Sequence, residues 1–145
     1  MDTTKRKKLG KKTRRLGKEF EKEVEKDLER KGWIVVKFNK QVNLEKNILE
    51  TARGQFNPFF KRIVGEGSGF PDFLCLGRLP FFSKEEYGGG INTPAFHIQL
   101  VESKIIGKLD KPEKDKIAWI KKNLKIPVIL AKKGQLKGSI IYENL

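Results

Sequence analysis

Apolar and charged positions follow two different periods along this chain. Between Leu16 and Lys31, Phe20, Val24 and Leu28 recur every four residues, Glu and Lys fill the other faces, and Gly32 stands where a helix would stop. That spacing predicts an amphipathic helix. Trp33–Phe38 (WIVVKF) is a β-branched and aromatic run and predicts a strand. Asn43–Arg53 (NLEKNILETAR) reads as a short helix capped by Asn43, and Phe59–Val64 (FFKRIV) as a strand. Three glycines within Gly65–Gly69 mark a turn. Phe73–Leu76 (FLCL) has the look of a buried strand, and Gly77–Ala95, with glycines at 88–90, reads as a long hairpin loop. Phe96–Ile106 predicts a central strand and Pro112–Leu124 a helix with Ile117 and Ile120 on one face; Ile126–Ala131 and Ser139–Tyr142 predict two closing strands. The order implies one α/β domain, a mixed central sheet of about four to five strands flanked by helices.

Composition narrows the partners. The chain has 145 residues, about one domain, and 32 Lys+Arg against 18 Asp+Glu give a net charge of +14. Such a balance points to a polyanion, nucleic acid first. A hydrophobic share of 37%, with ten Phe and two Trp, suffices for a packed core and argues against disorder throughout. The single Cys75 excludes a disulfide framework and a cysteine-based metal centre. No apolar run is long enough for a membrane span and no apolar secretory segment is seen, so the expected location is the cytoplasm, away from membranes. Abundant Lys, Ile and Glu with little Cys and Met would suit a thermophilic source.

The charge is concentrated. Residues 5–18 hold nine basic residues and no acid: Lys5, Arg6, Lys7, Lys8, Lys11, Lys12, Arg14, Arg15 and Lys18. A basic N-terminal arm over 1–15, followed by a mixed-charge domain over 16–145, is the layout of a phosphate-gripping tail. A solvated N-terminus without a partner is the alternative.

Two short strings carry candidate chemistry: Pro71-Asp72 after a glycine turn, and Glu102-Ser103-Lys104 at the end of an apolar strand. Strand alternation sends Glu102 and Lys104 to one face and Ser103 to the other. If the two strands form a hairpin, Asp72 comes near Glu102 and Lys104. Two carboxylates offer hard oxygen ligands to Mg²⁺, which polarises a phosphate and activates water, while a lysine orients that water or offsets charge. An ordinary edge-strand ion pair is the bland reading of the same residues.

Pro71-Asp72 with Glu102-Ser103-Lys104 resembles the signature of the PD-(D/E)xK nuclease superfamily. Within it the chain is similar to archaeal Holliday junction resolvases, through the basic opening segment, Gly17-Lys18-Glu19-Phe20-Glu21, the strand Trp33–Phe38 and the turn Gly67-Ser68-Gly69. The similarity covers roughly residues 14–131. It implies a restriction-endonuclease-like core and a metal-dependent DNA endonuclease active on branched DNA. Asp72 and Glu102 would be metal ligands, Lys104 the catalytic lysine, and Glu21 the helix-borne acid completing the site. Mg²⁺ would be the cofactor, with Mn²⁺ able to substitute. Symmetric cutting of a four-way junction further implies a homodimer, whose face could include Ile140, Ile141 and Phe59–Val64. The stretches 39–69 and 77–95 are insertions relative to that pattern.

Other residues have simpler readings. Ser68 either touches a phosphate or only shapes its turn. His97 reads as a packing histidine and Cys75 as an inert buried thiol. No Gly-Lys-Ser/Thr follows the glycines at 65–69, so no nucleotide cofactor is expected. Phe81, Phe82 and Tyr87 either stack on unpaired bases or pin their own loop. Two other functions stay open: a restriction- or repair-type nuclease on duplex, flap or single-stranded DNA, and a non-catalytic DNA- or RNA-binding protein on the same scaffold.

Overall fold

The computed structural model describes residues 3–66, 69–78 and 96–145. In chain order the elements are α1 (Thr3–Arg30), β1 (Ile34–Lys37), β2 (Lys40–Asn43), β3 (Ile48–Thr51), β4 (Arg53–Asn57), β5 (Arg62–Glu66), β6 (Phe73–Arg78), β7 (Phe96–Ser103), α2 (Lys111–Asn123), β8 (Val128–Lys133) and β9 (Ile140–Asn144). Five strands form the main sheet in the order β1-β6-β7-β8-β9, and β2-β3 and β4-β5 are separate two-stranded hairpins. Only β7 and β8 are parallel within the main sheet, and α2 is the crossover between them. The α/β class and the mixed five-strand sheet with helices are as the pattern predicts.

The core has two layers because β7 alternates. Val101 meets α1, which buries Phe20, Val24 and Leu28 along its four-residue stripe against Phe73, Cys75, Ile129 and Ala131. Leu100, one residue earlier, points the other way and packs with Val128, Val42 and the Ile117 and Ile120 stripe of α2. The sheet is thus covered by a helix on each face. Helix α2 starts with a capping box. Asp110 accepts a hydrogen bond from the Glu113 backbone, Glu113 accepts one from the Asp110 backbone, and Pro112 stands in the first turn.

Three regions depart from the sequence reading. Helix α1 begins at Thr3, so the basic segment is helical and the boundary drawn at residue 15 falls inside one element. Lys and Arg are good helix formers, and Leu9 and Leu16 add apolar positions without burial, at 57% and 39% exposure. Residues 43–53 are not a helix. They close the β2-β3 hairpin, with Val42 opposite Leu49, and Asn43 accepts a hydrogen bond from the Lys46 backbone inside the turn instead of capping a helix. The strand expected at 59–64 starts three residues late, at Arg62.

Glycine is required at Gly69. A Cβ there would lie 1.9 Å from the Phe38 carbonyl oxygen, because this segment crosses directly over the start of β2, where the Phe70 backbone donates to the Lys40 carbonyl. The same crossing sets the position of Asp72, which directly follows the cis Phe70–Pro71 peptide.

Candidate active site

The β6-β7 register sets Phe73 opposite Val101, which brings Asp72 across from Glu102 at one end of the sheet. The contact is direct at the next residue. Asp72 Oδ2 accepts a 2.8 Å hydrogen bond from the Ser103 backbone and a shorter one from the Ser103 hydroxyl. Ser103, read from strand alternation as pointing away, is therefore the residue that ties the two strings together. It lies at the last position of β7, where the alternation ends.

Glu102 is 4% exposed, and burial together with the neighbouring Asp72 charge pushes its pKa up to about 8. Its Oε1 is 3.3 Å from the Lys104 ammonium. Its Oε2 is buried without a hydrogen-bond partner, the sole such side-chain atom among the described residues. Burial opposes the charge on Lys104, but the Glu113 hydrogen bond at 2.5 Å and the Glu102 charge outweigh it, leaving the pKa above the usual lysine value. Burial also raises the Asp72 pKa, against the two hydrogen bonds from Ser103.

Asp72 thus lies near enough to Glu102 for its charge to raise the Glu102 pKa, and Glu102 is paired with Lys104. Glu21 approaches from α1. Its charge helps raise the Asp72 pKa, yet its own carboxylate is ion-paired with Lys37 of β1 at 3.0 Å. Asp27, farther along the same helix, is committed elsewhere: it accepts from the Tyr142 hydroxyl at 2.7 Å and pairs with Lys31 at 2.8 Å. Among the described residues, no group of three or more His, Cys, Asp or Glu side chains is arranged to hold a metal ion.

Glu113 was missed from the sequence. Its signal was present in Asp110-Lys111-Pro112-Glu113, a capping box that fixes the Glu113 side chain at the start of α2. Lys37 was read only as part of a strand.

No protein-family model matches this chain, and no curated protein or solved structure matches it either.

The remaining sequence candidates that are described make their contacts elsewhere. His97 packs edge-on against Trp33, with ring centroids 5.7 Å apart, and Cys75 is buried with its thiol pKa pushed up to about 12. Lys11, Lys12, Arg14, Arg15 and Lys18 are exposed on α1, Arg15 lying 3.4 Å from Glu19. The side chains of Lys5, Arg6, Lys7 and Lys8 lie outside those described, as do Ser68, Phe81, Phe82 and Tyr87. No helix of the described residues is long and apolar enough to cross a membrane.

Proposed function

We propose that this chain is a metal-dependent endonuclease that hydrolyses phosphodiester bonds in DNA, of the PD-(D/E)xK type and selective for branched DNA. The reading rests on one observation: Asp72 is hydrogen-bonded into the Glu102-Ser103-Lys104 run, so the two halves of the motif meet. A mixed sheet with a helix on each face agrees with a restriction-endonuclease-like core.

Carboxyl groups act on one another here: Glu21 raises the Asp72 pKa, and Asp72 and Glu113 raise that of Glu102, with Lys37 and Lys104 working the other way. The unpartnered Glu102 Oε2 is a hard oxygen donor of the kind a divalent cation takes. Mg²⁺ is commonly held by one or two carboxylates with water and substrate phosphate, so Asp72 and Glu102 suffice as protein ligands. A bound Mg²⁺ or Mn²⁺ would supply Lewis-acid polarisation of the scissile phosphate. Ser103 fixes the Asp72 carboxylate, leaving its second oxygen for the cation. Lys104, positioned by Glu102 and Glu113, would donate to a phosphate oxygen or to the attacking water. Glu113 holds the lysine at the mouth of the site. Glu21 and Lys37 keep the neighbouring α1–β1 corner charged. The exposed basic face of α1 supplies non-specific attraction for DNA.

A non-catalytic nucleic-acid-binding protein on the same scaffold is the second reading. It is favoured by the lack, among the described residues, of a three-carboxylate group arranged around a cation, and by the double pairing of Lys104.

One assay separates the readings: plasmid, linear duplex and a four-way junction are incubated with Mg²⁺, or with EDTA. The proposal expects Mg²⁺-dependent cutting, strongest on the junction. Glu102→Gln and Lys104→Ala should each lower cleavage on the order of 100-fold, the range for removing one charge interaction made in the transition state, while Glu102→Gln binds DNA at least as tightly and Lys104→Ala loses no more than one phosphate contact. Lys104→Ala cutting at the parental rate would sink the assignment of this strand.

A further inference from the structure

The insertion between β1 and β6 carries a second surface. Strands β4 and β5 form a hairpin of their own, and its turn, Asn57-Pro58-Phe59-Phe60-Lys61, exposes phenyl rings to solvent. Phe59 is 87% exposed, Phe56 62% and Phe60 58%. A contiguous exposed aromatic group of this kind on a charged protein needs a reason.

Its geometry is organised. Asn57 Oδ1 accepts hydrogen bonds from the Phe59 backbone at 2.9 Å and the Phe60 backbone at 3.3 Å, which fixes the turn that carries both rings. The rings stand edge to face, 5.3 Å apart and 89° to each other, and so present faces in two directions. The Arg62 guanidinium lies 5.9 Å from the Phe60 centroid. Lys61 and Arg62 follow the rings directly and no acid lies between Arg53 and Arg62; the nearest acid along the hairpin is Glu66, register partner of Arg53 at the end away from the tip. Aromatic faces flanked by cations match a nucleic-acid strand whose bases are unpaired: the rings stack on bases and the cations meet the adjoining phosphates. A fully paired duplex has no free base faces to offer. An apolar groove on a protein has no need of the cationic flank.

We propose that the β4-β5 hairpin tip, through Phe59 and Phe60, is a stacking platform for nucleobases whose faces are free, unpaired or unstacked. This rests on the nucleic-acid part of the function proposed above and gives its branched-DNA preference a physical source, because a bulge leaves bases unpaired and an open four-way junction, although fully paired, leaves the base pairs at its branch point unstacked.

The test measures binding only, in EDTA. Anisotropy titrations compare a four-way junction and a bulged duplex with a fully paired duplex, for the parent chain, Phe59→Ala/Phe60→Ala and Phe59→Trp/Phe60→Trp. The alanine pair should weaken binding to the junction and bulge by about 5- to 150-fold, the equivalent of one stacked base, and leave the paired duplex within about twofold. The tryptophan pair should keep the preference. Should the double variant melt early, Phe59→Ala alone, at the more exposed ring, is read in its place. Equal losses on the continuous duplex and on the junction and bulge, or no loss on any of them, would overturn the inference. So would an alanine variant that dissociates a parental dimer in sedimentation while keeping the base preference. Because no cleavage is involved, a chain that prefers unpaired bases but never nicks DNA keeps this inference and overturns the nuclease reading. A chain that cuts but ignores the phenylalanines does the reverse.

Discussion

Glu102 bears most of the tension in the proposed site. Its carboxyl is buried beside Asp72 and offsets only part of that burial through Lys104, which is why its pKa rises to about 8 from 4.5. A carboxyl whose folded pKa is raised contributes fully to stability below its unfolded pKa. It loses that contribution as the pH climbs through the folded value. For Glu102 the loss spans pH 4.5 to about 8. Glu102→Gln, which cannot ionise, should therefore melt close to the parent at pH 5 but above it at pH 8.5, by several degrees, an effect on the order of a few kcal/mol. Thermal melts at the two pH values check this. A variant less stable than the parent at pH 8.5 would mean that the ionised carboxylate is held by its neighbours and not strained by them. Added Mg²⁺ or Mn²⁺ should raise the parental melting temperature at pH 8.5 and leave Glu102→Gln unmoved, since a ligand of the folded state stabilises it by mass action.

At the scale of elements, the hairpins are what the sequence hid. The Phe20, Val24, Leu28 stripe was legible because it has one period and one buried face, and the apolar runs of β7 and β8 because they are short, continuous and buried on both faces. The antiparallel pairing that sets Asp72 across from Glu102 was legible for the same reason, whereas alternation sent Ser103, the residue that Asp72 contacts, to the other face. Residues 43–53 were not. Leu44 and Ile48 are spaced like a helix face, and Asn43 suits a helix cap as well as a turn. What decides for the hairpin is tertiary: Val42 is buried against α2, and the Trp119 indole donates to Asn47. Ser103 and Glu113 were missed because each acts through a contact with a distant element, Asp72 and Lys104 respectively. Gly69 couples the hairpins to the site, since it crosses over Phe38 and Lys40 shortly before Asp72. Gly69→Ala should destabilise the fold by about 2 kcal/mol or more, an overpacking effect against rigid backbone, and displace Asp72 from Ser103. Urea unfolding measures the first consequence. A Gly69→Ala chain as stable as the parent would show that the β2 backbone can yield at that crossing.

The whole molecule divides its labour along α1. The buried residues of the helix, Phe20, Val24 and Leu28, lie in its second half, whereas the described side chains from Leu9 to Leu16 are exposed. Packing and charge are therefore carried by different turns of one helix. Residues 1–15 hold eight basic residues and one acid, so removing them halves the net charge of +14 without touching either core layer. Helical order gives the cations a fixed spacing of about 1.5 Å per residue along the axis, so those on one face can follow a phosphate backbone together. A chain lacking residues 1–15 should keep the parental melting temperature within a few degrees. Its DNA affinity should fall at low salt, and its log-affinity against log-salt slope should flatten by about 0.9 for each phosphate that the helix no longer neutralises. At saturating protein, the rate of any Mg²⁺-dependent cleavage should stay near the parental value, because Asp72, Glu102 and Lys104 all lie on the retained sheet or at its edge. Titrations at several salt concentrations with single-turnover cleavage check both parts. An unchanged slope would make the first half of α1 a solvated extension with no part in binding, and the attraction for DNA would then have to come from the lysines of α2 and the sheet.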